Sequence, residues 1–126
     1  MPDRQEAEEQ EVQDMSKQRF EGKVVYLSGP ITGVENYNRD AFADAKRAVL
    51  EGGAEYVHDP SVESCGGRPH EWWMRRALSE LTQEGMDANG NPFYGCVAML
   101  PGWERSDGAK VERMCAEACG IEVVEL

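Results

Sequence analysis

Three stretches of the chain hold side chains that could do chemistry. The first is Y-L-S-G-P-I-T-G, Tyr26 to Gly33. Gly29 and Gly33 let the backbone come close to a ligand, Ser28 and Thr32 add hydroxyl donors, and free N–H groups in such a loop can hold a phosphate or a sugar hydroxyl. The same residues also suit an ordinary strand-to-helix turn. The second is L-P-G-W-E-R-S-D-G-A-K-V-E, Leu100 to Glu112. Pro101, Gly102 and Gly108 shape a loop that opens a helix, and helix N-terminal N–H groups attract anions. Glu112 falls one or two turns into that helix. A carboxylate so near a positive helix end is expected to stay ionised, as a nucleophile must; it could equally be a favourable first-turn acid and nothing more. The third is H-E-W-W-M-R-R, His70 to Arg76. Trp72 and Trp73 are adjacent and leave a helix in different directions, so one is expected in the core and the other free to stack on a planar base. Arg75 and Arg76 are expected to be solvated. Trp103 is a second stacking surface.

The elements that would position these side chains follow from periodicity. Lys23–Ser28, K-V-V-Y-L-S, is β-branched and aromatic and stops at Gly29-Pro30, which marks a buried strand. From Asn38, a plausible N-cap, Phe42, Ala45, Val49 and Leu50 recur at helical spacing until Gly52-Gly53. Glu55–His58 is a second strand, closed by Asp59-Pro60. A helix opens at Pro69 or His70 and runs to about Gln83, with Trp73, Ala77, Leu78 and Leu81 on its apolar face. Residues 84–92 form a turn-rich excursion. Phe93–Leu100 is the most apolar strand, Ser106 or Asp107 caps a helix to Cys119, Gly120 ends it, and Ile121–Leu126 closes the chain as a strand. The order β-α-β-α-β-α-β predicts a small three-layer α/β fold, flavodoxin- or Rossmann-like, with a parallel sheet in the order 2-1-3-4, right-handed crossovers and strands buried on both faces. Ligands then belong beyond the carboxyl ends of the strands. That rule selects Ser28–Gly33, the stretch after Asp59, and Pro101–Gly108.

Bulk properties narrow the field. A length of 126 residues with 40% apolar content suits one domain. Residues 1–20 carry six acids against three bases and almost no large apolar side chains, so an acidic flexible tail is expected there, or a helix that docks on a partner subunit, with the domain spanning 21–126. A net charge of −11 without a basic stripe disfavours polymeric nucleic acid and leaves a single nucleotide open. No apolar run approaches the roughly 20 residues of a membrane span. The N-terminus lacks a secretory layout, so a cytoplasmic location and no membrane partner are expected. Cys65, Cys96, Cys115 and Cys119 form no C-x-x-C pair, and His58 and His70 have no matching spacing. Buried free thiols and no metal are expected. Neither G-x-G-x-x-G, a P-loop nor G-x-S-x-G occurs, which disfavours dinucleotide oxidoreductases, NTPases and serine hydrolases.

Taken together, Y-L-S-G-P, a helix with W-x-M-R, and V-A-M-L-P-G-W-E-x-S-x-G-A-x-x-E resemble the nucleoside 2-deoxyribosyltransferase-like family. The match is nearest to its small phage- or bacterium-encoded members and covers about residues 23–125 in order. The resemblance implies a homo-oligomeric enzyme without a cofactor that cleaves or transfers at the N-glycosidic bond of a deoxyribonucleoside or its 5′-monophosphate. By position in the motifs, Glu112 would be the nucleophile at C1′ and Tyr26 the residue that orients it. Ser28, Gly29, Pro30, Thr32 and Gly33 would contact ligand, and Ser106 and Gly108 would hold a 5′-hydroxyl or 5′-phosphate. Asp59 is a candidate acid for the leaving base. The chain departs from the family at Gly95, where an aspartate is usual, and at Asp59-Pro60, where close relatives carry Asn-Pro. A non-catalytic nucleotide-binding module and a protein-interaction module using the acidic tail are the alternatives.

Overall fold

The structure is a computed structural model that describes residues 19–85 and 88–126. Four strands, β1 (Val24–Ser28), β2 (Tyr56–His58), β3 (Cys96–Met99) and β4 (Glu122–Glu125), alternate with three helices, α1 (Arg39–Glu51), α2 (His70–Leu81) and α3 (Asp107–Ala118). The strands form one sheet in the order β2-β1-β3-β4, and every pair is parallel. The chain is thus an α/β fold of the expected topology.

Period-two alternation builds three layers. In β1, Val25 and Leu27 join Phe42 and Val49 of α1 on one face of the sheet, with Cys96 and Ala98 of β3. Tyr26 points to the other face, where Val97 and Met99 of β3 meet Leu81 of α2 and Ala109 and Ala116 of α3. Burial on both faces holds for the central strands: β3 is buried at every residue and β1 at all but its first. It does not hold for the edges, where Tyr56, Glu122 and Glu125 are exposed, because an edge strand has a sheet neighbour on one side only.

Several local expectations are refined. Phe20 is buried in the core and its N–H donates to the Gly52 carbonyl at 2.9 Å, so the packed body begins one residue earlier than 21. Arg19 is exposed and donates to the Glu125 carbonyl at 3.0 Å, and residues 1–18 of the proposed tail lie outside the described residues. Asn38 does precede α1, yet its side chain caps nothing; Nδ2 donates to the Pro30 carbonyl at 2.9 Å. The thiols are not uniformly buried. Cys96 is, and burial pushes it up to about 11, whereas Cys65 and Cys119 are exposed. Among the described residues no cluster of three or more His, Cys, Asp or Glu could hold a metal, and no helix is long and apolar enough to cross a membrane. Within the excursion, Glu84 and Pro92 form an antiparallel bridge, and residues 86–87 lie outside the described residues.

Candidate active site

Glu112 is the sixth residue of α3, which packs against the sheet through Ala109 and Ala116. Ser106 sets the start of this helix: its Oγ accepts the Ala109 N–H at 3.2 Å. From that start, one turn and a half brings Glu112 over the carboxyl end of β1. The Ser28 hydroxyl, at the last position of β1, donates to Glu112 Oε1 at 3.1 Å in a buried contact. The other oxygen, Oε2, is buried with no partner, and so is the Tyr26 hydroxyl. Tyr26 is close enough to the carboxylate for each to perturb the other, but no hydrogen bond of good geometry joins them. Two buried polar atoms thus lack a hydrogen bond of good geometry, an arrangement that costs stability and marks functional sites.

The electrostatics correct one expectation. Glu112 was expected to be firmly ionised; instead burial raises it from 4.5 to about 7, against the lowering effects of Tyr26 and Ser28. The positive end of α3 acts over its first turn, and desolvation of a carboxylate 8% exposed outweighs it. Tyr26 is raised well above the usual phenol value by burial, then by the neighbouring Glu112, and stays a neutral donor.

Glu112 and Tyr26 stand on the wall of a cavity of 1020 Å³ at the carboxyl ends of the strands. The volume suits a nucleotide-sized ligand. Gly29, Pro30 and Thr32 of the first loop line it, as do Ser106 and Gly108 of the second. Their glycines have steric roles. A Cβ on Gly29 would stand 2.8 Å from Leu100 Cβ, so this residue lets the two loops meet, and one on Gly108 would stand 3.2 Å from Met74 Sδ of α2. Ser28 enters the site through its bond to Glu112 rather than as cavity wall. Gly33, Asp59 and Trp103 are not among the lining residues. Gly33 supplies a left-handed turn, φ 81°. The Asp59 carboxylate accepts the Ser61 N–H at 2.9 Å and the Ser61 hydroxyl at 2.6 Å, capping a short 3-10 turn over Pro60–Glu63. Trp103 donates from Nε1 to Glu125 at 3.1 Å and lies under the Arg113 guanidinium, 4.5 Å from its ring centre.

Of the other wall residues, Trp72, Trp73, Arg75 and Arg76 belong to the third sequence stretch, whereas Tyr37, His58 and Glu80 were not singled out as ligand contacts. Trp72 and Trp73 both line the cavity, half-buried and edge to face at 4.7 Å. Neither enters the core, because the inward positions of α2 are filled by Leu78 and Leu81. Arg68 and Arg76 flank the Trp72 ring at 4.8 and 5.8 Å. Tyr37 belongs to a run of three left-handed residues, Asn36, Tyr37 and Asn38, with φ of 52, 55 and 58°. Such a conformation costs about 1–2 kcal/mol per residue and sits where function is commonly found. His58, at the end of β2, and Glu80, on α2, complete the wall near Tyr26. Of Tyr37, His58 and Glu80, only His58 carried a signal: it ends a strand at the edge where α/β sheets bind ligands.

No curated protein and no solved structure matches the chain. A protein family described as a domain of unknown function (DUF4406) matches residues 23–125, which is all but the first 22 residues and the last. The match takes in both loops, all four strands and Glu112, and the chain accordingly belongs to the DUF4406 family.

Proposed function

We propose that this protein breaks the N-glycosidic bond of a deoxyribonucleoside or its 5′-monophosphate, with Glu112 as nucleophile. One observation carries the reading: a buried carboxylate with one oxygen held by Ser28 and the other unpartnered, on the wall of a cavity large enough for a nucleotide. The resemblance of the Tyr26–Gly33 and Val97–Glu112 motifs to nucleoside 2-deoxyribosyltransferase-like proteins supports the same assignment.

In this mechanism Ser28 fixes Oε1 and leaves the lone pairs of Oε2 free for C1′. Attack passes through an oxocarbenium-like transition state, whose positive charge the ionised carboxylate stabilises, and gives a glycosyl-enzyme ester. The neutral Tyr26 phenol beside it orients the carboxylate. The loops around Gly29 and Gly108 hold the sugar end, so much of the acceleration comes from positioning and from charge placed in a site shielded from water. A second base or a water then attacks C1′ and frees Glu112; the first outcome is transfer, the second hydrolysis. Assembly as a homo-oligomer belongs to the same proposal and is read by analytical ultracentrifugation.

The test is incubation with deoxyribonucleosides and their 5′-monophosphates, followed by chromatography for free base. Glu112→Gln keeps the shape and removes the charge, and is expected to lower release by at least about 1000-fold. Near-parental turnover by that variant would refute the assignment. Tight nucleotide binding by the parent without any bond cleavage would identify a binding module instead.

A further inference from the structure

A second cluster of ionisable groups shares the cavity with Glu112. His58 is the last residue of β2 and lies opposite Tyr26 in the sheet register. The two rings stack at 5.1 Å with 25° between their planes. Tyr94 closes the cluster edge-on, 5.3 Å from Tyr26 and 6.0 Å from His58. Its hydroxyl donates to Glu80 Oε1 at 2.5 Å, and the same oxygen stands 3.8 Å from His58 Nδ1. An unbroken series of contacts therefore runs from Glu112 through Tyr26 and His58 to Glu80. His58, Glu80 and Glu112 all stand on the cavity wall.

Departure of a base from C1′ leaves an electron pair on its nitrogen, and a proton supplied there lowers the barrier. The other carboxylates near the cavity are committed elsewhere. Asp59 is held by Ser61, and Glu63 is paired with Arg76 at 3.1 Å. Asp107 is 90% exposed and paired with Lys110. His58 is only 13% exposed, and histidine is the side chain best suited to give and take a proton near neutrality. Glu80 lies where it would stabilise an imidazolium, and Tyr94, kept neutral by burial and by Glu80, anchors that carboxylate.

Resting on the glycosidic reading above, we propose that His58 is the acid that protonates the departing base, with Glu80 and Tyr94 as its positioning residues. As the C1′–N bond breaks, its electrons go to the base nitrogen, which takes the proton of the His58 imidazolium. The bond from Glu112 to C1′ forms at the same time. In the second half, the neutral imidazole takes a proton from the incoming water or base nitrogen as that atom attacks C1′. The ester bond breaks, and Glu112 leaves as carboxylate. Protons and electron pairs balance over the cycle with no other reactant.

The experiment measures base release from a series of deoxyribonucleosides and 5′-monophosphates whose bases differ in the pKa of the leaving nitrogen. The parent is compared with His58→Gln and Glu80→Gln, and thermal melting is followed for each. For His58→Gln the expected loss is about 100-fold or more on the poorest leaving group, shrinking to within about 5-fold on the best, which needs no proton. Glu80→Gln is expected to show the same trend at about a tenth of that size; it is partly exposed and carries the test if His58→Gln fails to fold. A loss equal across the series, or no loss, overturns the role of His58 while the parent remains active. A parent that releases no base from any member refutes the glycosidic reading itself.

Discussion

Burial of Glu112 has a thermodynamic consequence that can be measured without a substrate. Its value in the folded protein, about 7, stands above the 4.5 of an unperturbed glutamate. Between those values the unfolded chain binds fewer protons than the folded one, so stability falls as pH rises through the window. Below pH 4.5 the group costs nothing; above 7 the loss is complete, about 3 kcal/mol. Glu112→Gln removes this slope. In urea titrations near pH 4 and pH 8, the parent is expected to lose about 3 kcal/mol more than the variant between the two conditions, with the variant the more stable protein at the higher pH. A parental slope unchanged in Glu112→Gln would mean that another group titrates. A residue whose removal stabilises the fold is one retained for what it does, and the ionised fraction at neutral pH is what a nucleophile requires.

At the scale of elements, two loops converge because two glycines meet different needs. Gly29 is required for space: a methyl group there would stand 2.8 Å from Leu100 Cβ, and both residues are anchored by strand pairing, the Leu100 N–H donating to the Ser28 carbonyl at 2.8 Å. Gly33 is required for its φ of 81°, with open space around it. Gly29→Ala is therefore expected to lower stability by about 2–3 kcal/mol through overpacking, and Gly33→Ala by about 1 kcal/mol through strain alone. Chemical denaturation of both variants checks the order. The Gly29 substitution also parts the two loops that line the cavity, so base release is expected to fall with it, whereas Gly33→Ala leaves the cavity wall in place. Equal effects of the two changes would contradict the close approach. Sequence identified both glycines as loop residues but did not separate them, because a steric need depends on which side chain arrives from β3, some 70 residues away.

On the scale of the whole molecule, the cavity sits between loops that follow adjacent central strands, β1 and β3, so a ligand filling it ties both halves of the sheet together. A deoxyribonucleoside 5′-monophosphate at 100 times its Kd is expected to stabilise Glu112→Gln by about 2.7 kcal/mol, which in a domain of this size raises the melting temperature by roughly 10 °C or more. Differential scanning fluorimetry of that variant avoids turnover, and no shift with any of the common deoxyribonucleotides would count against this cavity as a nucleotide site. The architecture that creates it was legible beforehand. Strand and helix periods in Lys23–Ser28, Phe42–Leu50 and Phe93–Leu100 are local signals, and the right-handed crossover rule leaves few ways to assemble them, so class and strand order could be read from one chain; the pairing of Glu112 with Tyr26 came from the family resemblance, and the Ser28–Glu112 bond from the structure alone. What folding alone decided lies in long-range contacts. Asp59 turned inward to cap the turn beginning at Pro60, and Trp103 was taken up by Glu125 and Arg113. The ionisation of Glu112 was settled by the packing that covers it, and His58, Glu80 and Tyr94 were gathered from three separate segments. Periodicity reports which face of an element is buried; what lies against that face, and how much water remains there, depends on residues distant in sequence, and those two quantities govern proton affinity and hydrogen bonding.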